Sequence, residues 1–335
     1  MDILTQGVVG AALPLAVRHK KNVAAAAGLG FLAGLAPDLD ALIRSDEDTL
    51  LFMEFHRHFT HSLFFIPIGS AAVAGLVYGI GRRWISLSFL QVWLFCALGY
   101  GTHGLLDAAT SFGTSLLWPF SDARISLSIV SIVDPLFTVP LLLLVSLGVI
   151  RKNGRYGRLG CLWAALYLSA AAFQHHQAFE MAETVTMERG HTAGRLVVKP
   201  TFGNIILWKS VYEWNGRYYV DAVRPWPGKV MLSGTSIAVF EPARDVPWLN
   251  KESRQAGDIE RFIGFSDGYV ALAADGSPRI IDVRYSFIPT ETEPLWFIQL
   301  SPEDRADAPA VYDTNRENAR DKVPALWRMI IIPSR

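Results

Sequence analysis

Residues 56–80 read His-Arg-His-Phe-Thr-His-Ser-Leu-Phe-Phe-Ile-Pro-Ile-Gly-Ser-Ala-Ala-Val-Ala-Gly-Leu-Val-Tyr-Gly-Ile, three imidazoles within six positions followed by an uncharged apolar run. Such a run approaches the roughly 20 residues that cross a bilayer core about 30 Å thick. An ionisable side chain beside lipid is costly unless it is paired, hydrated or bound to an ion, so its place at the end of a membrane segment points to a site. The arrangement recurs. Asp38 and Asp40 follow the apolar stretch 22–36, and His103 and Asp107 end the stretch 84–106.

The rest of the chain places these clusters. Of 335 residues, 51% are hydrophobic, and the mean hydropathy of +0.25 exceeds the soluble norm. The long apolar runs lie within residues 1–180, whereas 181–335 mixes charges, prolines and short alternating segments. A boundary near 180 follows. The expected fold is an α-helical membrane bundle of about 4–6 membrane helices, then a mostly antiparallel β soluble domain. Stretches 63–80, 84–106, 125–150 and 159–179 are the expected spans, and the shorter 3–17 and 22–36 carry Gly30-x-x-x-Gly34, a spacing that permits close helix packing. Asn215-Gly216 and Asp275-Gly276 mark turns between alternating segments such as Arg217–Val223 and Arg279–Tyr285.

Net charge is zero, with 31 basic and 31 acidic residues, which removes the electrostatic case for a nucleic-acid partner. Cys96 and Cys161 fall inside apolar runs and read as buried hydrophobes. The N-terminus has no basic region before its apolar stretch, so no cleaved signal peptide is expected. Basic residues gather at Arg18, Lys20 and Lys21, at Arg82 and Arg83, and at Arg151, Lys152, Arg155 and Arg158. If each apolar segment crosses once, these loops share the cytoplasmic side, and the His/Asp clusters and everything after 180 face the periplasm.

Each cluster has a plain reading beside its chemical one. Asp38 and Asp40 follow Pro37, which ends a helix; they are either caps or oxygen ligands brought together in a turn. His56, His58 and His61 are either an interfacial belt or metal ligands, with Arg57 placed to hold a phosphate or carboxylate. His103-x-x-x-Asp107 shares a helical face, for a common ion, for a carboxylate orienting a ligating imidazole, or for an interhelical hydrogen bond. Asp134-Pro135 reads as a turn or an inward-facing aspartate, His19 as solvated, and His175 and His176 are open.

Met1-Asp2 with Thr5-Gln6, Pro37-Asp38-Leu39-Asp40, His56-Arg57 with Thr60-His61-Ser62, Thr102-His103 with Leu106-Asp107, and Gly113-Thr114 with Trp118-Pro119-Phe120-Ser121 together resemble the YdjM-like inner-membrane family of metal-dependent hydrolases, over about residues 1–150. The β-rich tail is similar to an extension carried by one branch of that family. The resemblance implies a membrane-bound hydrolase with metal ligands at Asp38, Asp40, His56, His61, His103 and Asp107, and leaves His58 outside the set. Where some members carry a histidine, this chain has Gln6.

The mixed imidazole and carboxylate set suits Zn²⁺, which lowers the pKa of a bound water. The expected substrate is a lipid-borne ester or phosphoester, with Arg57 clamping phosphate and Asp38 or Asp40 accepting a proton. The alternative is a non-enzymatic membrane protein with a structural metal or polar packing site and a partner-binding β domain. An open coordination position separates the two, because structural zinc sites are closed. A transporter fits less well, since no repeated half is visible.

Overall fold

A computed structural model describes residues 1–18, 22–83, 86–302, 308–315 and 319–331. His19, Lys20 and Lys21, and the first two residues of the expected span 84–106, lie outside the described residues. The chain divides into two compact units: residues 1–43, 55–172 and 202–204, and residues 44–54, 173–201 and 205–335.

The first unit is helical. It contains α1 (Ile3–Val17), α2 (Val23–Leu35), α4 (Ile66–Gly81), α5 (Phe89–Ala109) and α6 (Pro135–Ile150); the short α3 (Leu51–Phe55) begins in the second unit, and α7 (Arg155–Glu188) starts in the first and ends in the second. A 3-10 segment, Ala36–Leu42, prolongs α2. Among the described residues, two helical stretches are long and apolar enough to cross a membrane, Val23–Leu42 and Phe89–Ala109, and a third is added if the bent pair Leu51–His61 and Ile66–Gly81 is one span. α1 and α6 are apolar but shorter.

Two expected spans therefore change. The stretch 125–150 is helical only from Pro135, because the backbone N–H groups of Leu127, Ser128 and Ile129 donate to the carbonyls of Ala108, Thr110 and Ala109. Those carbonyls sit where α5 ends and have no partner within the helix, so an extended segment that satisfies them forgoes helical bonds of its own. The expected span 159–179 lies inside the longer α7, whose composition does not meet the same test. Asp134 caps α6, accepting from Leu136 N at 3.1 Å and Phe137 N at 3.2 Å, and is fully buried against the Tyr167 hydroxyl at 2.7 Å.

Glycine sets how closely the helices meet. A Cβ built on Gly30 would lie 2.3 Å from the Gly10 carbonyl oxygen, and one on Gly99 would lie 2.2 Å from the Gly30 carbonyl oxygen. α1, α2 and α5 thus touch backbone to backbone, as small-residue stripes allow in lipid. One turn further on, the α2 stripe continues to Gly34 and the α5 stripe to His103; a second turn brings Asp38 and Asp107. The close crossing is what carries the polar residues of both helices to one point.

The second unit holds two four-stranded antiparallel sheets, β1 (Arg195–Pro200) to β4 (Val230–Ala238) and β5 (Val270–Leu272) to β8 (Val311–Thr314), each in sequential order. Asn215 and Gly216, at φ 48° and 69°, make the expected two-residue hairpin between β2 (Trp208–Trp214) and β3 (Arg217–Arg224). Helices α9 (Arg254–Phe265) and α10 (Ala319–Ile331) were not expected from the sequence. Burial pushes the Lys199 and Lys209 ammonium groups down to about 7. Lys209 Nζ donates to Ser286 Oγ at 2.6 Å and to the Glu291 carbonyl at 2.9 Å.

Candidate metal centre

Four side chains from three segments converge. Asp38 comes from the 3-10 segment after α2, His61 from the turn before α4, and His103 and Asp107 from successive turns of α5. One donor atom from each lies within 4.8 Å of all the others. His61 Nε2 is 3.0 Å from His103 Nε2, 3.5 Å from Asp38 Oδ1 and 3.3 Å from Asp107 Oδ2. His103 Nε2 is 3.4 Å from Asp38 Oδ1 and 3.6 Å from Asp107 Oδ2. Zinc bonds of about 2.0–2.2 Å to N and O place tetrahedral donors about 3.3–3.5 Å apart. The five observed separations bracket that value.

The surroundings orient these donors inward. His103 Nδ1 lies 2.6 Å from the Gly34 carbonyl oxygen, which requires the proton on Nδ1 and leaves the Nε2 lone pair for the centre. His61 Nδ1 lies 3.1 Å from Asp40 Oδ2, a carboxylate–histidine pair of the kind that fixes ligating imidazoles. Asp107 Oδ1 accepts from Gln6 Nε2 at 2.9 Å and from the Met1 α-amino group. Asp107 Oδ2 is buried with no hydrogen-bond donor; Arg57 Nε stands 3.1 Å away as an ion pair, but its N–H is not aimed at that oxygen. A buried carboxylate oxygen with one face unmet is what an absent cation would satisfy. Charge agrees, since Asp38, Asp40 and Asp107 face one guanidinium and one amino group. The donor set fits a divalent ion.

Asp40 and His56 stand beside this group. Asp40 Oδ1 is 2.9 Å from His56 Nδ1, and Asp40 Oδ2 accepts from Thr60 Oγ1 at 2.7 Å and from Arg57 N at 3.0 Å. Asp38, Asp40 and His56 form a second set whose donor atoms lie within 4.8 Å of one another. All six residues of the expected ligand set are thus brought together, in two groups that share Asp38.

Local backbone explains how a stretch with three histidines aims two of them at the centre. Arg57 adopts φ 64°, a left-handed conformation that costs a non-glycine residue about 1–3 kcal/mol and persists only where its surroundings hold it. Here its N–H is bound by Asp40, its carbonyl accepts from Ser115 N at 3.0 Å, and its Nη1 donates to Thr110 Oγ1 at 2.8 Å. His58 falls on the far side of this turn, with its ring 5.9 Å from that of Trp118, and belongs to neither group. His175 Nε2 lies 3.2 Å from the Val198 carbonyl oxygen, and the exposed His176 pairs with Glu180; both are in the second unit.

Sequence reasoning missed the supporting groups. Gln6 and Thr60 stood within quoted motifs and Gly34 within a packing motif, but none was given a role at the site, and Thr110 was not singled out, because amides, hydroxyls and carbonyls reveal their partners only once the chain is folded.

The profile of the YdjM inner membrane protein family matches residues 1–178. The chain is also similar to the inner membrane protein YbcI of Escherichia coli (strain K12), 36% identical over 97 residues, which are 28% of this chain and 54% of that protein. The chain thus spans about half the length of the curated relative it matches. No solved structure matches it.

Proposed function

This chain belongs to the YdjM inner membrane protein family, and from that premise we propose that it is a membrane-bound, metal-dependent hydrolase acting on a lipid-borne ester or phosphoester. The observation that carries the reading is the buried Asp38, His61, His103 and Asp107 group, with one oxygen of Asp107 unmet. A divalent ion held at this cluster, Zn²⁺ by the chemistry of the donors, would supply a Lewis acid and, wherever a coordination position stays open, a water of lowered pKa.

The chain's own residues do the rest. Whichever of Asp38 and Asp40 keeps an oxygen clear of the metal accepts the proton of the attacking water, and Asp38 is the more exposed of the two, with 21% of its side chain open. Arg57 offsets the charge of Asp107, and this reading assigns its guanidinium to a phosphoryl oxygen. Asp40 and Gln6 hold His61 and Asp107 in place. The flanks favour an acyl-bearing substrate: Leu39 and Leu42 on the segment of Asp38, Phe64 beyond His61, and Phe120, 84% exposed, whose ring meets that of Phe64 at 6.0 Å.

Residues 1–180 are proposed as the membrane domain, in which α1, α6 and α7 add to the two or three clear spans to give five or six membrane helices, within the expected 4–6, and 181–335 as a β-rich domain on the periplasmic side. A cysteine placed at Gly276 should react with an impermeant reagent added outside the cell, and one at Asn153 should not; the reverse pattern moves site and β domain to the cytoplasm.

The activity is tested with detergent-purified protein and a short-chain phosphatidylcholine or a nitrophenyl phosphodiester. Hydrolysis should stop with a chelator, return with Zn²⁺, and be lost in Asp38→Asn. Metal-loaded protein that cleaves neither ester nor phosphoester favours the second reading, a structural metal site, which has its own support: four protein donors converge in the first group, the number a closed zinc site uses.

A further inference from the structure

The first group poses a difficulty for a hydrolase. Its four donors come within 3.0–3.6 Å of one another along five edges, and His61, His103 and Asp107 are 2%, 0% and 0% exposed. An ion held by all four has no position left for water, which is the mark of a structural site. Catalytic zinc keeps three protein donors and one open position.

The second group has that composition. Among the described residues, Asp38, Asp40 and His56 are the three His, Cys, Asp or Glu side chains whose donor atoms meet there. It also lies toward solvent, with 21% of the Asp38 side chain and 16% of the His56 side chain exposed. Asp40 can serve both groups through different oxygens: Oδ2 faces His61 Nδ1, Thr60 and Arg57 N, while Oδ1 faces His56. Asp38 belongs to both sets, with Oδ1 about equidistant from the two Nε2 atoms of the first.

We infer that the centre is built for two divalent ions with Asp38 common to both donor sets: Asp38, His61, His103 and Asp107 would hold a closed one, and Asp38, Asp40 and His56 would hold an open one accessible to water and substrate. This rests on the metal-dependent reading above and assigns its open position. Paired ions sharing a carboxylate are a recurrent device for stabilising both the attacking and the leaving oxygen of a phosphoester. The roles would divide accordingly: Asp38, His61, His103 and Asp107 would hold an ion that fixes the cluster, and Asp38, Asp40 and His56 would hold the one at which substrate binds.

Elemental analysis of the purified full chain loaded with Zn²⁺ should give about two ions, and His56→Ala about one, with thermal unfolding showing that the variant is folded. Because His56→Ala can fail to fold, the wild type loaded with Mn²⁺ supplies a second readout: its electron paramagnetic resonance spectrum should show exchange-coupled ions. A wild type that holds a single ion, unchanged in His56→Ala and with the spectrum of an isolated Mn²⁺, overturns the two-ion centre and leaves the metal site standing. No bound ion in folded wild type overturns both.

Discussion

Replacing His103 with alanine is expected to cut metal affinity by well over the ~100-fold that loss of a supporting residue costs, because it removes a donor to the centre itself. His103 is fully buried, its Nδ1 proton is committed to the Gly34 carbonyl, and its Nε2 is within 3.6 Å of the donor atoms of Asp38, His61 and Asp107. Alanine therefore opens one corner of the coordination shell and also strands the Gly34 carbonyl. If His61, His103, Asp107 and Asp40 act on one centre, double replacements among them should cost much less than the sum of the singles, because the second change acts on a site already lost. Exposed His176, in the second unit, serves as the control, and His176→Ala should leave metal content unchanged. Additive losses among the four, or full metal retention in His103→Ala, would show that unrelated polar residues have been joined into a site.

Gly99→Ala should destabilise the helical unit by about 3 kcal/mol or more, the upper range for overpacked cores. The new methyl would lie 2.2 Å from the Gly30 carbonyl oxygen and 2.6 Å from its Cα, and these are backbone atoms of a neighbouring helix that no rotamer change can move aside. Since the same stripe continues to His103 and Asp107, the displaced helix should also loosen the metal centre. Gly75, on α4, has no atom within 4 Å of a built Cβ, so Gly75→Ala should be neutral or stabilise by up to about 1 kcal/mol through helix propensity. Thermal unfolding in detergent, with metal content measured in parallel, checks both. Equal melting temperatures for Gly99→Ala and wild type would contradict the backbone-to-backbone packing of α2 and α5.

What was legible in the sequence follows from how local each signal is. Gly30-x-x-x-Gly34 announced a close crossing, and the i, i+4 spacing of His103 and Asp107 put them on one face, because both depend only on helical periodicity. Asn215-Gly216 announced its hairpin through the positive φ such turns demand. The number of spans was less legible. Apolar content says that a segment avoids water, not that it is helical, and residues 127–130 instead satisfy the carbonyls at the end of α5. The left-handed Arg57 was equally hidden, yet it is what separates His58 from His56 and His61. Helices α9 and α10 escaped notice because the turn and strand signals around them set the reading of the whole region.

The metal content of wild-type protein, purified in detergent without added metal and shown to be folded, tests the central claim most directly. Zinc at or above one equivalent per chain is the predicted result, because imidazole and carboxylate donors converge there and include a buried Asp107 oxygen that accepts no hydrogen bond. Folded protein free of any divalent metal, which takes up none when Zn²⁺ is supplied, would contradict it.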